Sequence, residues 1–139
     1  MYKIKENIKS YKKILTIYEK CNWKAYTNDK ERLIRAIENS DYNISVWDKK
    51  KLIGFSRIIT DNEHILYLQD ILVLPGYQNM GIGSKMLKKI VEKYSHIRQK
   101  VLIADKSKLL KNFYLKNEFK LIKDYPVNCF IRLENYDVN

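Results

Sequence analysis

The stretch LQDILVLPGYQNMGIGSKML, residues 68–87, joins an apolar run to a helical pattern through a proline and three of the chain's four glycines. Its apolar first half is typical of a buried strand, which Pro75 ends. From Ile82 onward, apolar residues recur at helical intervals and predict an amphipathic helix. Gly81 and Gly83 thus stand at a helix N-terminus, where unpaired N–H groups and the helix dipole attract anions. Either the glycines let a phosphate approach the backbone, or they let the helix pack closely on a sheet.

Three phosphate-binding patterns compete for this segment. Gly76 and Gly81 have the first spacing of a P-loop, but the lysine and hydroxyl residue that should follow are absent. A dinucleotide fingerprint requires a third glycine where Met86 stands, and a strand earlier in the chain. The pattern Q/R-x-x-G-x-G is met in full by Gln78, Gly81 and Gly83. The segment therefore favours a pyrophosphate site of this third kind.

The rest of the chain predicts a mixed sheet of about seven strands flanked by about four helices, an α/β (α+β) fold in one domain, residues 1–139. The order is β α α β β β α β α β β. A tight turn around Lys49 and Lys50 joins two of the strands. The predicted segments are a strand at 2–5, helices at 8–20 and 29–39, strands at 43–48, 51–60 and 64–74, a helix from residue 82, a strand at 100–105, a helix at 107–119 and strands at 120–125 and 128–134.

The charge balance favours an anionic partner. The chain has 27 Lys and Arg residues against 16 Asp and Glu residues, a net charge of +11. Such a charge suits a nucleic acid, an acidic protein or a phosphorylated small molecule. The basic residues are spread along the chain and no recognised nucleic-acid motif occurs, so a basic nucleic-acid-binding module is the weaker alternative.

Other classes of site are not indicated. No apolar run is long enough for a signal peptide or a membrane span, so we expect a cytoplasmic protein without membrane contact. Cys21 and Cys129 lie far apart, and His64 and His96 lie far from both, so no metal site is predicted.

Residues 68–87 resemble the GNAT superfamily, the N-acetyltransferases that use acetyl-CoA. A second element, FYLKNEF at 113–119, is similar to the family's FYxxxGF, with Glu118 in place of glycine. The two elements and the matching element order extend the resemblance over most of the chain. The resemblance implies a GNAT fold and an acetyl-CoA-dependent N-acetyltransferase. A sensor that binds acetyl-CoA without transferring the acetyl group is the main alternative within the same fold.

The resemblance also implies which residues bind the cofactor. The backbone of the strand before the glycines would pair with the pantetheine arm, as an added strand would. The turn and the first helical residues would hold the pyrophosphate. The cofactor residues so implied are Ile71, Leu72, Val73, Gln78, Asn79, Met80, Gly81, Ile82, Gly83 and Ser84.

In the implied reaction a primary amine attacks the thioester directly in a ternary complex. Tyr114 matches the family's general acid, since a phenol with a pKa of about 10 stays protonated at neutral pH. Asp70 lies on the strand beside the implied acetyl site and is our candidate for the base or for a substrate contact. Within residues 17–35, Trp23, Tyr26 and Arg32 are candidates to shape the acceptor site. The acceptor, a small molecule or a peptide, stays open, as does the homodimer common in the family.

Overall fold

The computed structural model of the chain describes residues 1–134, which fall into two compact units, residues 1–104 and the residues from Asp105 onward. The elements in chain order are β1 Lys3–Glu6, α1 Tyr11–Lys20, α2 Lys24–Thr27, α3 Lys30–Glu38, β2 Tyr42–Asp48, β3 Lys51–Thr60, β4 Ile65–Val73, α4 Ile82–Lys93, β5 Gln99–Leu102 and α5 Lys108–Lys116, with a 3-10 turn at Ile122–Asp124.

The first unit contains a five-stranded mixed sheet in the order β1-β2-β3-β4-β5. Strands β1 to β4 pair antiparallel, each with the next, and β5 runs parallel to β4. The predicted hairpin is confirmed, because β2 ends at Asp48 and β3 begins at Lys51. Lys49 in its loop has a φ of 56°, the left-handed region that glycine and asparagine adopt more readily.

Helices α1 and α4 cover opposite faces of this sheet. The ring of Phe55 on β3 lies 6.1 Å from that of Tyr18 on α1. A Cβ at the neighbouring Gly54 would lie 2.9 Å from Ile82 Cγ2 and 3.1 Å from Met86 Cε, both on α4. Successive residues of a strand point to opposite faces, so each helix has a face of its own. Gly54 therefore lets α4 approach the sheet closely.

Side chains cap the N-terminal ends of two helices. Asp29 caps α3 by accepting a hydrogen bond from Arg32 N at 3.1 Å. Ser107 caps α5 in the second unit by accepting from Leu110 N at 3.3 Å. A side-chain oxygen at this position satisfies an N–H group that has no partner within the helix.

The counts of strands and helices require correction. Residues 120–125 and 128–134, predicted as strands, form only the 3-10 turn and irregular chain, so residues 1–134 contain five strands rather than seven. The described residues of the second unit include no strand for them to pair with, and an apolar alternation without a partner does not make a strand. The short helix α2 was not predicted and brings the α-helices to five. Residues 135–139 of the predicted domain lie outside the described part of the chain. Within the described part, no helix has the length and apolar character needed to cross a bilayer.

Candidate functional site

Strand β4 has an open edge along its C-terminal half. It pairs with β3 as far as Val73, but with β5 only from Ile65 to Leu68. Beyond Leu68 the side of β4 that faces β5 therefore has no strand partner among residues 1–134. Leu74 N donates to Ile53 O on β3 at 2.8 Å. Because backbone groups alternate along a strand, those of Ile71 and Val73 point to the open edge.

Two side chains occupy part of this edge. Gln78 Nε2 donates to Val73 O at 3.1 Å, and Cys21 Sγ lies 3.5 Å from the same oxygen. Gln78 thus ties the turn after β4 back to the end of the strand, which gives the glutamine of the motif a structural task. The backbone groups of Ile71 are left as the nearest ones available to an extended ligand.

The glycine turn contains three residues with a left-handed backbone conformation. Gly76, Asn79 and Gly81 have φ values of 95°, 63° and 79°, in the left-handed region. Gly81 is the N-cap of α4 and offers its first turn no side-chain hydrogen bond. A Cβ at Gly81 would have nothing within 4 Å, so this glycine does not serve helix–sheet packing. The space beside Gly81, at the start of a twelve-residue helix, is therefore open.

The other cofactor residues of the sequence prediction surround this turn. Met80 is 59% exposed, whereas the side chain of Ile82 is buried against the sheet. Gly83 and Ser84 follow in the first turn of α4, and Leu72 is buried on β4. Of Ile82, therefore, only backbone groups are available to a ligand here, and the backbone groups of Leu72 point toward its partner strand β3.

Asp70 lies at the centre of a buried polar network on the α1 side of the sheet. Its side chain is 1% exposed. Its Oδ2 accepts from Tyr18 Oη at 2.6 Å and from Arg57 Nε at 2.5 Å, and its Oδ1 accepts from Tyr26 Oη at 2.8 Å. Gln69 Nε2 in turn donates to Tyr26 Oη at 2.7 Å on the exposed side. The carboxylate has three donors and no open face toward solvent.

The pKa shifts in this network keep every donor protonated. Burial, followed by the charge and hydrogen bond of Asp70, raises the pKa of the Tyr18 phenol well above 10. Burial and the charge of Asp70 raise the pKa of Tyr26 in the same direction. Burial alone would lower the pKa of Arg57, but the nearby carboxylate raises it above its ordinary value. Both phenols therefore donate to Asp70, and the guanidinium stays charged.

Two aromatic residues, the N-cap of α2 and one residue within α2, lie next to this network. The rings of Trp23 and Tyr26 stack with centroids 5.9 Å apart, and Tyr18 meets each of them edge to face. Trp23 and Tyr26 are half-buried, so part of each ring is open to solvent. Two of the three predicted acceptor residues are thus in contact with each other, and the third, Arg32, is an exposed residue of α3.

A model of the acetyltransferase (GNAT) family matches residues 8–119. The chain belongs to the GNAT family. Proteins of this family use acetyl-CoA as the acetyl donor. The match includes residues of both compact units.

The relatives of this GNAT chain are distant. It is 28% identical to the uncharacterized N-acetyltransferase ycf52 of Pyropia yezoensis over 93 residues, which are 64% of this chain and 52% of that protein. It is 32% identical to the same-named protein of Gracilaria tenuistipitata var. liui over 85 residues, 57% of this chain and 46% of that protein. The chain thus spans about half the length of these curated relatives.

Solved structures show the same fold. The GNAT-family acetyltransferase SP0256 of Streptococcus pneumoniae TIGR4 has a TM-score of 0.84 at 24% identity, over 98% of this chain and 100% of that chain. The acetyltransferase AAC(6')-Iy, solved with a bisubstrate analogue of CoA and acetylneamine, has a TM-score of 0.67 at 14% identity, over 96% of this chain and 99% of that chain.

Tyr114 lies on α5, in the FY element of the second unit. Its ring is 5.0 Å from that of Phe113 and 6.1 Å from that of Phe119. Phe119 N donates to Tyr114 O at 3.0 Å, which closes the end of the helix. Glu118 in this closing turn has a φ of 69°. The glycine of the family pattern therefore corresponds to a position with a left-handed backbone conformation. Glu118 adopts this conformation although it has a Cβ.

Sequence reasoning missed Tyr18 and Arg57, the partners of Asp70, as well as Gln69. One signal was present, since Asp70 interrupts the apolar series of Leu66, Leu68 and Leu72 on the buried face of β4. A carboxylate at a core position requires a paired charge or several donors. Its partners come from positions 13 and 52 residues away along the chain.

Proposed function

We propose that this GNAT chain is an acetyl-CoA-dependent N-acetyltransferase that acetylates a primary amine. The observation that carries the proposal is the open edge of β4 running directly into the left-handed turn at Gly81. A strand edge without a partner suits the amides of pantetheine, and a helix N-terminus suits a pyrophosphate.

The residues predicted to hold the cofactor divide into two groups. Within the predicted stretch Ile71 to Val73, Ile71 would offer the principal backbone contact to the pantetheine arm, because the backbone groups of Leu72 point to β3 and Gln78 occupies Val73 O. Asn79 to Ser84 would offer the turn and helix N–H groups to the pyrophosphate. The bound cofactor supplies an activated acetyl thioester.

On the acceptor side, Asp70 fits a positioning role. Tyr26 Oη donates its proton to Asp70, so the lone pairs of the Tyr26 oxygen point away from Asp70. Gln69 Nε2 donates to this oxygen, and the N–H group of the substrate amine would donate to it in the same way. Tyr26 would then orient the amine while Trp23 contributes a ring face. Direct proton acceptance by Asp70 stays a prediction, and its three donors disfavour it.

The chemical step follows from the family resemblance. The neutral amine attacks the thioester carbonyl carbon, the carbon–sulfur bond breaks, and the departing sulfur takes the phenol proton of Tyr114. The amine nitrogen releases one proton to solvent water, from which Tyr114 is reprotonated. In an assay of thiol release with a panel of amines, Tyr114→Phe should lower kcat about 100-fold and leave the Kd of acetyl-CoA nearly unchanged. Tyr125→Phe, an exposed tyrosine of the same unit, is the matched control. Full turnover of Tyr114→Phe would remove this residue as the acid.

Gly81→Glu tests the cofactor site itself. A carboxylate beside the expected pyrophosphate should reduce acetyl-CoA affinity more than about 100-fold through like-charge repulsion. Gly81→Asn is the control, because asparagine tolerates a left-handed φ and is uncharged. Isothermal titration calorimetry with acetyl-CoA and with CoA measures both variants. Equal affinity of the Glu and Asn variants would contradict the proposed site, and binding without thiol release for any amine would favour the sensor.

A further inference from the structure

A cleft with a volume of about 680 Å³ opens in the first unit between α1 and the β2–β3 hairpin. Lysines border it on both walls: Lys13 and Lys20 on α1, and Lys50 and Lys51 at the hairpin. We call it the lysine cleft. It is separate from the turn at Gly81 and from the Asp70 network.

The lysine cleft carries positive charge that the described residues do not neutralise. Within residues 1–134, none of its four lysines forms an ion pair. Asp48 is the carboxylate in its lining, and that side chain accepts a hydrogen bond from Tyr77 Oη at 2.8 Å. Four ammonium groups around one carboxylate repel each other, and a bound anion would relieve that repulsion.

Two of these ammonium groups are held in place without a carboxylate. Lys13 Nζ donates to Lys50 O at 2.5 Å and lies 5.2 Å from the ring centroid of Trp47. Lys51 Nζ lies 5.4 Å from the ring centroid of Tyr77. Fixing a lysine in this way before binding lowers the entropy that an anionic ligand must overcome.

The floor of the lysine cleft is apolar. Ile17, Leu52 and Leu74, of which 1%, 6% and 8% of the surface is exposed, lie between the lysines. A ligand that alternates carboxylates with apolar side chains would satisfy both the walls and the floor. The lining contains no arginine, the residue best suited to bidentate phosphate contacts, and this favours carboxylates over a nucleic acid.

The lysine cleft also adjoins the elements that form the transfer site. Leu74 and Pro75 in its lining directly follow β4, and Ile17 precedes Tyr18, whose hydroxyl bonds Asp70. We propose that the acceptor is a polypeptide and that an acidic segment of it binds in the lysine cleft while its amine reaches the transfer site. The assignment as an acceptor site rests on the function proposed above, whereas binding of the acidic segment does not.

The binding arm of the test uses a short fluorescein-labelled peptide of alternating Glu and Leu, without acetyl-CoA, at low salt. Fluorescence anisotropy should show affinity at least about tenfold higher than for the matching peptide of Gln and Leu. The double variants Lys13→Glu with Lys50→Glu, and Lys20→Glu with Lys51→Glu, should each lose about tenfold or more. Circular dichroism identifies a variant that fails to fold. The double variant of Lys20 and Lys51 keeps the contacts of Lys13 with Lys50 O and Trp47 intact.

Lys12→Glu is the matched control, because Lys12 is an exposed residue of the same helix outside the lining of the lysine cleft. It should change the affinity less than about twofold. Equal binding of the two peptides, an equal loss in the Lys12 variant, or tighter binding of a labelled DNA duplex that displaces the peptide would each overturn the proposal.

The transfer arm uses unlabelled peptides with a free N-terminus followed by Glu or by Gln, and it measures acetylation by mass. We expect a KM about tenfold lower for the Glu peptide, and the loss of this difference in the Lys13 and Lys50 double variant. Equal KM values for the two peptides would overturn the assignment as an acceptor site. Absence of acetyl-CoA binding and turnover with the binding arm intact would overturn the acetyltransferase function and leave the acidic-segment site standing.

Discussion

Tyr26 is the residue through which the buried carboxylate reaches the surface of the molecule. Its hydroxyl donates to Asp70 and accepts from Gln69, whereas Tyr18 donates to the same carboxylate from a fully buried position. The two phenols therefore share a partner and differ in exposure. This difference separates a role in acceptor binding from a role in stability.

Tyr26→Phe should raise the KM for the amine about tenfold with the KM for acetyl-CoA unchanged, because the acceptor loses its hydrogen-bond partner. Tyr18→Phe is the control: it should lower the free energy of unfolding by about 1 to 3 kcal/mol, since Asp70 loses a buried donor, and leave the KM for the amine unchanged. Steady-state kinetics and urea unfolding measure both. A similar KM in both variants would contradict a role for Tyr26 in acceptor binding.

At the scale of elements, α5 ends in a turn that its sequence fits poorly. Glu118 N donates to Leu115 O at 3.2 Å, and this closing turn requires the left-handed φ at Glu118. A residue with a Cβ pays a steric cost in that conformation that glycine does not. The departure from the family pattern at this position therefore concerns helix termination.

Glu118→Gly should raise the free energy of unfolding by about 1 kcal/mol. The substitution removes the steric cost of the left-handed conformation, and the greater entropy of glycine in the unfolded chain offsets part of that gain. Glu118→Ala retains the Cβ and should give no such gain. Chemical denaturation followed by circular dichroism measures both variants. Equal stability of the glycine and alanine variants would contradict this account of the turn.

The turn between β3 and β4 depends on one carboxylate. Asp61 Oδ1 accepts from the backbone N–H groups of Ile65, Glu63 and His64 at 3.0, 2.9 and 2.8 Å. These hydrogen bonds, with that of Ile65 the largest contributor, lower the pKa of Asp61 from 3.8 to about 2. A carboxyl whose pKa is lower in the folded state stabilises the fold at pH values above its unfolded pKa.

Asp61→Asn removes this titration and keeps an acceptor oxygen. The wild type should be more stable than the variant above about pH 4, and this advantage should disappear as the pH falls from about 4 to about 2. Urea unfolding across that range measures the difference in free energy of unfolding between the two proteins. The contributions of the other carboxyl groups cancel in this difference, because both proteins contain them. A difference that stays constant between those pH values would show that Asp61 does not titrate in this way.

At the scale of the molecule, only the folded structure distinguishes the role of Gly54 from that of Gly81. The sequence left two explanations for Gly81, phosphate approach and close helix packing, but it is Gly54 that has helix atoms against its missing Cβ, whereas Gly81 has none. Close helix packing therefore does not explain Gly81. Gly81 provides backbone conformation and open space, and Gly54 provides packing.

The sequence by itself determined the order of the first ten elements apart from α2, the turn after β4, and the family. These features depend on residues close together in the chain, where periodicity, turn chemistry and capping act. It overestimated the strands after residue 119, because an apolar alternation does not reveal whether a neighbouring strand is available.

Only the tertiary structure decided the pairing of Asp70 with Arg57 and two tyrosines, the open edge of β4, and the gathering of four lysines around one cleft. Each depends on contacts between residues far apart in sequence, which hydrophobic patterning does not encode. A buried charge requires partners, but the fold alone selects which side chains they are. Local chemistry therefore gave the elements, and the three-dimensional arrangement gave the sites.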